Sequence, residues 1–452
     1  MDIKLYNSLS RSVETFKPLK KGLVSMYHCG PTVYDTPHLG NYRTFVLSDV
    51  VRRVFEYNAY DVHQTMNITD VDDKTIRRSR EEKVPLADIT RRYEQLFLEG
   101  LERLNILKPK QLIRATEHIP AMIDLITTLI NKGVAYTATD GVYVAISKVA
   151  NYGALIQLKE HADHDASHSR IHNDEYDKEN PHDFALWKFT TADDGAASWK
   201  APFGEGRPGW HIECSAMAME TLGETIDIHT GGVDLMFPHH VNEIAQSESA
   251  TGKPFVKYWL HGAFMNVSGE KMAKSKGNFL KLEDLVEQTI SPLAYRYWLL
   301  TAHYRSPINF TFEAVQAAQN ALIRLMHAVS EFPAGGKASL AYAERFVSYI
   351  NNDLDMPKAV ALMWDILKDT TLSDADKRAT IIDMDRVFGL RLDTVASIPE
   401  DEIPTEITAL VEAREDARKD KDWAKADALR QEIEARGYMI SDTKNGVKVT
   451  QK

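Results

Sequence analysis

The stretch from Leu23 to Ile68 constrains the fold more than any other part of the chain. Leu23 to Gly30, LVSMYHCG, is a short apolar run closed by glycine and reads as a buried strand. A loop, PTVYDTPHLG, follows. NYRTFVLSDVVRRVFEYN then brings Phe45, Val46, Val50, Val54 and Phe55 round at helical spacing. Tyr60 to Ile68, YDVHQTMNI, is a second strand. Parallel strands need a crossover connection, and a helix supplies it, so strand, loop, helix and strand in this order make a βαβ unit. The unit predicts a parallel α/β sheet that binds ligands at the carboxyl ends of its strands. The PTVYDTPHLG loop lies at that end.

The remaining 380 or so residues are too many for one core, and two to four domains are expected in the 452-residue chain. The region near 75–130 reads as charged helix, and 135–200 as short strands broken by a polar run, KEHADHDASHSRIHNDEYDKEN. That run carries His161, His164, His168 and His172, but no apolar periodicity to fix a backbone around an ion, so it reads as a solvated loop. Gly204 to His240 returns to strand and loop. Beyond about 310 the pattern is helical, Pro399 and Pro404 mark a linker, and the terminal YMISDTKNGVKVTQK reads as a hairpin turning at Asn445-Gly446. No apolar stretch approaches a membrane span, and MDIKLYNSLSRSVETFKP has neither the apolar core of a secretory signal nor the Arg-rich, acid-poor pattern of a transit peptide. A cytoplasmic protein is expected. The net charge of -11 argues mildly against nucleic acid, yet phosphate binding needs only a local basic face.

Three constellations carry chemistry. There is no Walker A loop and no GxGxxG after the first strand. In their place stands His38-Leu39-Gly40-Asn41 at the start of the first helix, where free N–H groups suit phosphate, with Pro37 fitting an early helical position. The second is Lys271-Met272-Ala273-Lys274-Ser275, a glycine-flanked cationic loop able to follow charge on a leaving pyrophosphate. The third is a metal set. The chain has two cysteines, Cys29 and Cys214, too few for a disulfide framework in a reducing compartment. If Pro238 starts a helix, His239 and Glu243 share a face at i, i+4. Two thiolates, an imidazole and a carboxylate make a tetrahedral zinc set. Spacing leaves His240 with Glu243 open as well, and His211 lies three residues before Cys214.

Taken together, the motifs resemble the cysteinyl-tRNA synthetases, a class I aminoacyl-tRNA synthetase family. CGPTVYD before HLGN, NITDVDDK from Asn67, GRPGWHIECS from Gly206, GGVDLMFPHH from Gly231, KMAKS from Lys271 and DWAKADALR from Asp422 fall in order along nearly the whole chain. The resemblance implies an α/β, Rossmann-like parallel-sheet catalytic domain with an insertion, then a helical bundle and a small C-terminal α/β anticodon-binding module. The implied boundaries are 1–118 and 200–250 for the two catalytic halves, 119–199 for the insertion, 251–308 for the stem-contact region, 309–397 for the bundle and 398–452 for the terminal module. It implies one Zn2+ per chain on Cys29, Cys214, His239 and Glu243, and a cysteine pocket at Cys29, Gly30, Thr69, Trp210 and His229. ATP, with Mg2+, is implied at His38, Asn41, Gly232, Asp234 and Lys274, with His38, Asn41, Lys271 and Lys274 as the catalytic set. The implied partners are L-cysteine, ATP and tRNA(Cys), without a membrane, in a monomer. Asn41 and Ala273 depart from the general class I pattern, which has histidine and serine there; amide donors and both lysines remain, so activity is expected to persist. Trp423 is expected in the core of the terminal module. A ligase that activates cysteine in the same way for an amino sugar would share the zinc and ATP motifs and lack that module.

Overall fold

The computed structural model describes residues 1–157, 183–271, 279–394, 404–443 and 446–451. Its contacts divide into two units, residues 1–316 with 347–359 and residues 317–346 with 360–452.

The first unit opens with a ribbon, β1 (Lys4–Asn7) against β2 (Ser12–Thr15). β3 (Leu23–His28), α1 (Leu39–Tyr57) and β4 (Asp61–Ile68) then form the expected βαβ unit. Phe45, Val46, Val50, Val54 and Phe55 are all buried, so the helical face read from the pattern is the face that packs. α2 (Asp73–Glu82) and α3 (Leu86–Arg103) make a helical pair before β5 (Gln111–Arg114) and α4 (Ile119–Asn131). β6 (Ala135–Thr137), β7 (Gly141–Val144), β8 (Phe184–Phe189) and β9 (Gly206–Pro208) form a separate antiparallel sheet. The chain returns through α5 (Trp210–Leu222), β10 (Ile226–Gly232), α6 (Val241–Thr251) and β11 (Val256–Gly262).

The main sheet runs β11-β10-β3-β4-β5, every pair parallel. Its order reverses at β3, whose neighbours are β4 on one side and the much later β10 on the other. A crevice opens at the carboxyl ends of strands where such a reversal occurs. His28 ends β3 there, Thr69 follows β4, and Gly232 ends β10. The antiparallel sheet has its own core: Val142, Val144, Leu186 and Trp187 pack with Met122, Ile126, Ile212 and Ala216 of α4 and α5. After β11 come β12 (Met265–Val267), β13 (Glu270–Lys271), α7 (Leu282–Glu287), α8 (Pro292–Leu300) and β14 (Ile308–Phe310).

The second unit takes the larger parts of helices Phe312–Glu331, Leu340–Ile350 and Met356–Lys368 and the whole of Asp374–Phe388. Its terminal part has helices Thr405–Lys419 and Trp423–Ala435 and an antiparallel hairpin, Tyr438–Thr443 with Gly446–Gln451, closed over Ile407, Ile433, Ile440 and Val449. The hairpin is the expected one; Asn445 of its turn lies outside the described residues. Trp423 is 60% exposed, not in this core as expected. It is the first residue of its helix after the cap Asp422, whereas the buried face of that helix carries Ala426 and Ile433. Among the described residues no helix is long and apolar enough to cross a membrane.

Candidate active site and metal cluster

A cavity of about 440 Å³ lies in the crevice at the sheet's carboxyl edge. Cys29, Gly30 and Trp210 line one end, and His38, Gly40 and Asn41 line the α1 end. Gly232, Asp234 and Gly262 line the β10–β11 end. Gly30 must be glycine, because a Cβ there would sit 1.7 Å from the Asn67 carbonyl oxygen. The close approach is fixed by the Gly30 N–H donating to Asn67 Oδ1 at 2.9 Å.

α1 starts at a reciprocal cap. The Asn41 N–H donates to His38 Nδ1 at 3.1 Å, and the His38 N–H donates to Asn41 Oδ1 at 3.2 Å. Because Nδ1 accepts, the proton of a neutral His38 ring must sit on Nε2. Asn41 spends its oxygen on the cap and keeps its amide N–H groups as donors, which is what an asparagine at this position can offer a phosphate. A Cβ on Gly40 would come within 2.9 Å of the folded-back His38 ring, so this glycine makes room for the histidine. Pro37 lies outside the helix, since the cap is His38 and not the earlier Thr36. The ring of Phe279 meets His38 edge-on at 4.8 Å. Lys274 and the side chain of Lys271 lie outside the described residues, as do His161, His164, His168 and His172; the Lys271 backbone pairs with Asn266 in β13.

Behind the Cys29 end is a wholly buried cluster. Cys29 follows β3, Cys214 comes from the second turn of α5, and Glu243 from the first turn of α6. Phe237 is extended, and after it the chain turns helical from Pro238, through a wide turn carrying His239 and His240, into α6 at Val241. His239 and Glu243 therefore share a face at i, i+4, as expected. One ligand atom from each of Cys29, Cys214, His239 and Glu243 fits within a 4.8 Å span. Cys29 Sγ is 3.5 Å from Cys214 Sγ and 3.6 Å from Glu243 Oε1, and His239 Nε2 is 3.1 Å from Glu243 Oε1. A zinc tetrahedron with bonds of ~2.3 Å to sulfur and ~2.0 Å to nitrogen and oxygen has edges of about 3.8 Å (S to S) and 3.3 Å (N to O). The cage is thus near the right size and slightly contracted.

His239 Nε2 adds a second argument. Despite its closeness to Glu243 it makes no aligned hydrogen bond, and it is fully buried. A buried imidazole nitrogen without a partner is costly unless something else uses its lone pair. The other ring nitrogen, Nδ1, lies 2.9 Å from His211 Nδ1, so His211 holds the ring from behind. A rival set of Cys29, His229, His240 and Glu243 also converges within 4.8 Å. It is the poorer cage, because it has one sulfur and its His229 Nε2 is already bonded to Glu243 Oε2 at 3.0 Å. His240 is anchored the other way, Nδ1 to His261 Nε2 at 2.8 Å. The buried Cys/His/Glu cluster is compatible with a metal site.

Burial sets the charge states. It pushes the Cys29 thiol well above the ordinary thiol range, helped by Cys214 and Glu243, and it raises Cys214 as well. Burial lowers His28, His211 and His261 to about 3, with neighbouring His229 adding to the shift at His28 and His261, and Lys188 at His211. Burial and then His211 drive His239 well below its usual value. The imidazoles are therefore neutral and able to act as ligands or acceptors at neutral pH.

Of the residues expected at the cysteine pocket, Cys29, Gly30 and Trp210 lie on the cavity wall. Trp210 stacks flat on His239 with ring centroids 4.2 Å apart. Thr69 and His229 are buried behind it: the Thr69 hydroxyl donates to Glu213 Oε2 at 2.8 Å, and His229 backs Glu243. His211 and Glu213 were not in the expected set. A signal for both was present in WHIEC, where they precede Cys214 within one helical turn.

A parallel sheet reversed at β3, a capped HLGN helix start and a crevice between them define a class I aminoacyl-tRNA synthetase. Residues 15–320 match the family model described as the tRNA synthetases class I (C) catalytic domain, and residues 400–449 match the cysteinyl-tRNA ligase anticodon binding domain. The chain belongs to the cysteine–tRNA ligase family. It is 44% identical to the cysteine–tRNA ligase of Chlamydia muridarum over 480 aligned residues, covering 99% of both chains. It is 42% identical to that of Methanosarcina mazei, covering 99% of this chain and 98% of the relative. Among solved structures, Mycobacterium tuberculosis methionyl-tRNA synthetase bound by methionyl-adenylate superposes with a TM-score of 0.56 at 17% identity, covering 83% of this chain and 90% of that one. A leucyl-tRNA synthetase from Agrobacterium radiobacter in complex with tRNA gives 0.58 at 10% identity, covering 84% and 85%. These likenesses carry the fold.

Proposed function

We propose that the chain activates L-cysteine with ATP to cysteinyl-adenylate and passes the cysteinyl group to the 3′-terminal ribose of tRNA(Cys). The observation that carries this reading is one continuous crevice. Cys29, a member of the buried thiol–imidazole–carboxylate cage, opens on it at one end, and the HLGN cap opens on it at the other.

In the first step the cysteine carboxylate attacks the α-phosphorus of ATP and pyrophosphate leaves. In the second, the terminal ribose hydroxyl attacks the adenylate carbonyl and AMP leaves. Neither step needs a protein nucleophile; positioning and charge stabilisation do the work. His38, with its Nδ1 occupied by the cap, offers Nε2–H to phosphate oxygens, and the Asn41 side-chain amide and the positive end of the α1 dipole add to it. Gly232 and Asp234 hold the adenosine, and Lys271 and Lys274 neutralise the leaving pyrophosphate alongside ATP-borne Mg2+. Thr69 stands behind the cysteine end with Glu213.

The two thiols, the His239 lone pair and Glu243 Oε1 would hold one zinc ion. Bound there, zinc supplies a site that favours a thiolate over a neutral hydroxyl, which separates cysteine from serine where pocket size cannot. Trp210, stacked on His239, covers one face of that ring. Residues 1–118 and 200–250 make up the catalytic halves, 119–199 the insertion, 251–308 the stem-contact region, 309–397 the bundle and 398–452 the anticodon-binding module. In that module the exposed Trp423 gives a base a face to stack on. The protein acts as a cytoplasmic monomer. Cysteine-dependent ATP–pyrophosphate exchange tests the reading: exchange with cysteine and none above background with serine supports it, and equal exchange with both overturns it.

A further inference from the structure

The antiparallel sheet meets the crevice at one charged joint. Lys188 of β8 and Arg207 of β9 are direct cross-strand partners. Two cations so placed repel each other. Both are buried, at 9% and 6% exposure, while the side chain of the carboxylate that joins them is 45% exposed. Asp73, the first residue of α2, bridges them: Oδ2 accepts from Lys188 Nζ at 2.9 Å and Oδ1 from Arg207 Nη2. Arg207 Nε goes to Asp194 Oδ1 at 2.7 Å, fixing the guanidinium from its other side. Burial pushes the Asp73 carboxyl up, but Arg207 and Lys188 outweigh it and hold the group below the ordinary carboxylate range.

Asp73 and Arg207 each lie close in sequence to residues on the cavity wall. Asp73 lies between the helix cap Asp72 and Lys74, whose Nζ rests 5.5 Å from the Tyr34 ring; Lys74 and Tyr34 are on the cavity wall. Arg207 is three residues before Trp210, and the intervening Gly209 is pinned by its N–H to the Leu186 carbonyl at 2.9 Å. Nothing slack separates Arg207 from the indole. One carboxylate therefore spans the two rims of the amino-acid end, the first turn of α2 and Trp210.

We propose that Asp73 is a positioning residue for amino-acid binding: by bridging Lys188 and Arg207 it sets the gap between the first turn of α2 and Trp210. The proposal rests on the reading of that end as the cysteine pocket. Asp73→Asn keeps the shape and removes the negative charge between the two cations. Lys188→Met added to it removes the repulsion and leaves Arg207 on Asp194. In pyrophosphate exchange, Asp73→Asn raises the KM for cysteine about tenfold with kcat and the KM for ATP within about threefold, the size of effect a sub-ångström misplacement gives. Zinc content stays at the parent's level, and the double variant recovers most of the cysteine KM. The parent's own exchange with cysteine, measured first, tests the pocket reading separately. An unchanged cysteine KM in Asp73→Asn overturns the proposal, as does an equal rise for ATP and cysteine or a double variant no better than the single.

Discussion

His229 was expected to line the cysteine pocket; in the structure it stands behind Glu243, and His229→Leu separates the two roles. Leucine is close in volume and cannot donate a hydrogen bond. The substitution removes the 3.0 Å bond from His229 Nε2 to Glu243 Oε2, in a site with no exposure at either residue. That bond turns Oε1 toward Cys29 and His239. A buried acceptor left without its donor costs about 1–3 kcal/mol. At about 1.4 kcal/mol per decade this is roughly 5- to 150-fold in zinc affinity, which agrees with the ~10- to 100-fold loss usual when the group orienting a metal ligand is removed. The assay is an equilibrium competition for zinc against a chelating dye, run beside the cysteine KM in pyrophosphate exchange. With zinc saturating, the KM should return to near the parent's. Zinc affinity within about twofold of the parent, together with a raised KM that saturating zinc does not repair, would refute the reasoning and return His229 to direct contact with the amino acid.

Four further outcomes follow from the same geometry. Cys214→Ser lowers zinc content and cysteine activation together; a variant with full zinc and full activity contradicts the ligand set. Burial keeps both thiols protonated in the metal-free fold while His239 is already neutral, so zinc uptake releases thiol protons, and affinity rises with pH by about tenfold per unit for each proton released; competition titrations at pH 6.5 and 7.5 giving one affinity count against it. Lys274→Ala slows adenylate formation by about 10²–10³ with little change in cysteine binding, measured by single-turnover exchange; an unchanged rate assigns the role to Lys271. Removal of residues 400–452 leaves zinc binding and exchange near the parent's, because the cage and crevice belong to the other unit, while charging of full-length tRNA falls steeply and charging of an acceptor-stem RNA falls less; equal charging by the truncated chain rules out the division of labour.

The parts of the fold that were legible in sequence are those that local periodicity writes. The buried face of α1, the strands flanking it and the terminal hairpin all follow from patterns a few residues long. The metal cluster was legible only in part. Spacing offered both His239 and His240 to Glu243, and the choice depends on the extended residue Phe237 and the wide turn after it, which no helical period encodes. Trp423 looked like core because tryptophan is usually buried, but its place at a helix start turns it outward. The Asp73 joint could not be read at all, since its partners are 115 and 134 residues away and each is an ordinary charged residue in its own segment.

Charging of tRNA with cysteine through a metal-dependent pocket is open to direct measurement. The direct measurement is aminoacylation of purified tRNA(Cys) by the purified chain, with radiolabelled cysteine and with serine, before and after zinc is stripped and restored. Cysteinyl-tRNA is expected from the zinc-loaded enzyme, with none above background with serine, loss on stripping and recovery on adding zinc back. Cysteine-dependent pyrophosphate exchange without any charging of tRNA(Cys), or charging that is indifferent to the metal, would contradict it.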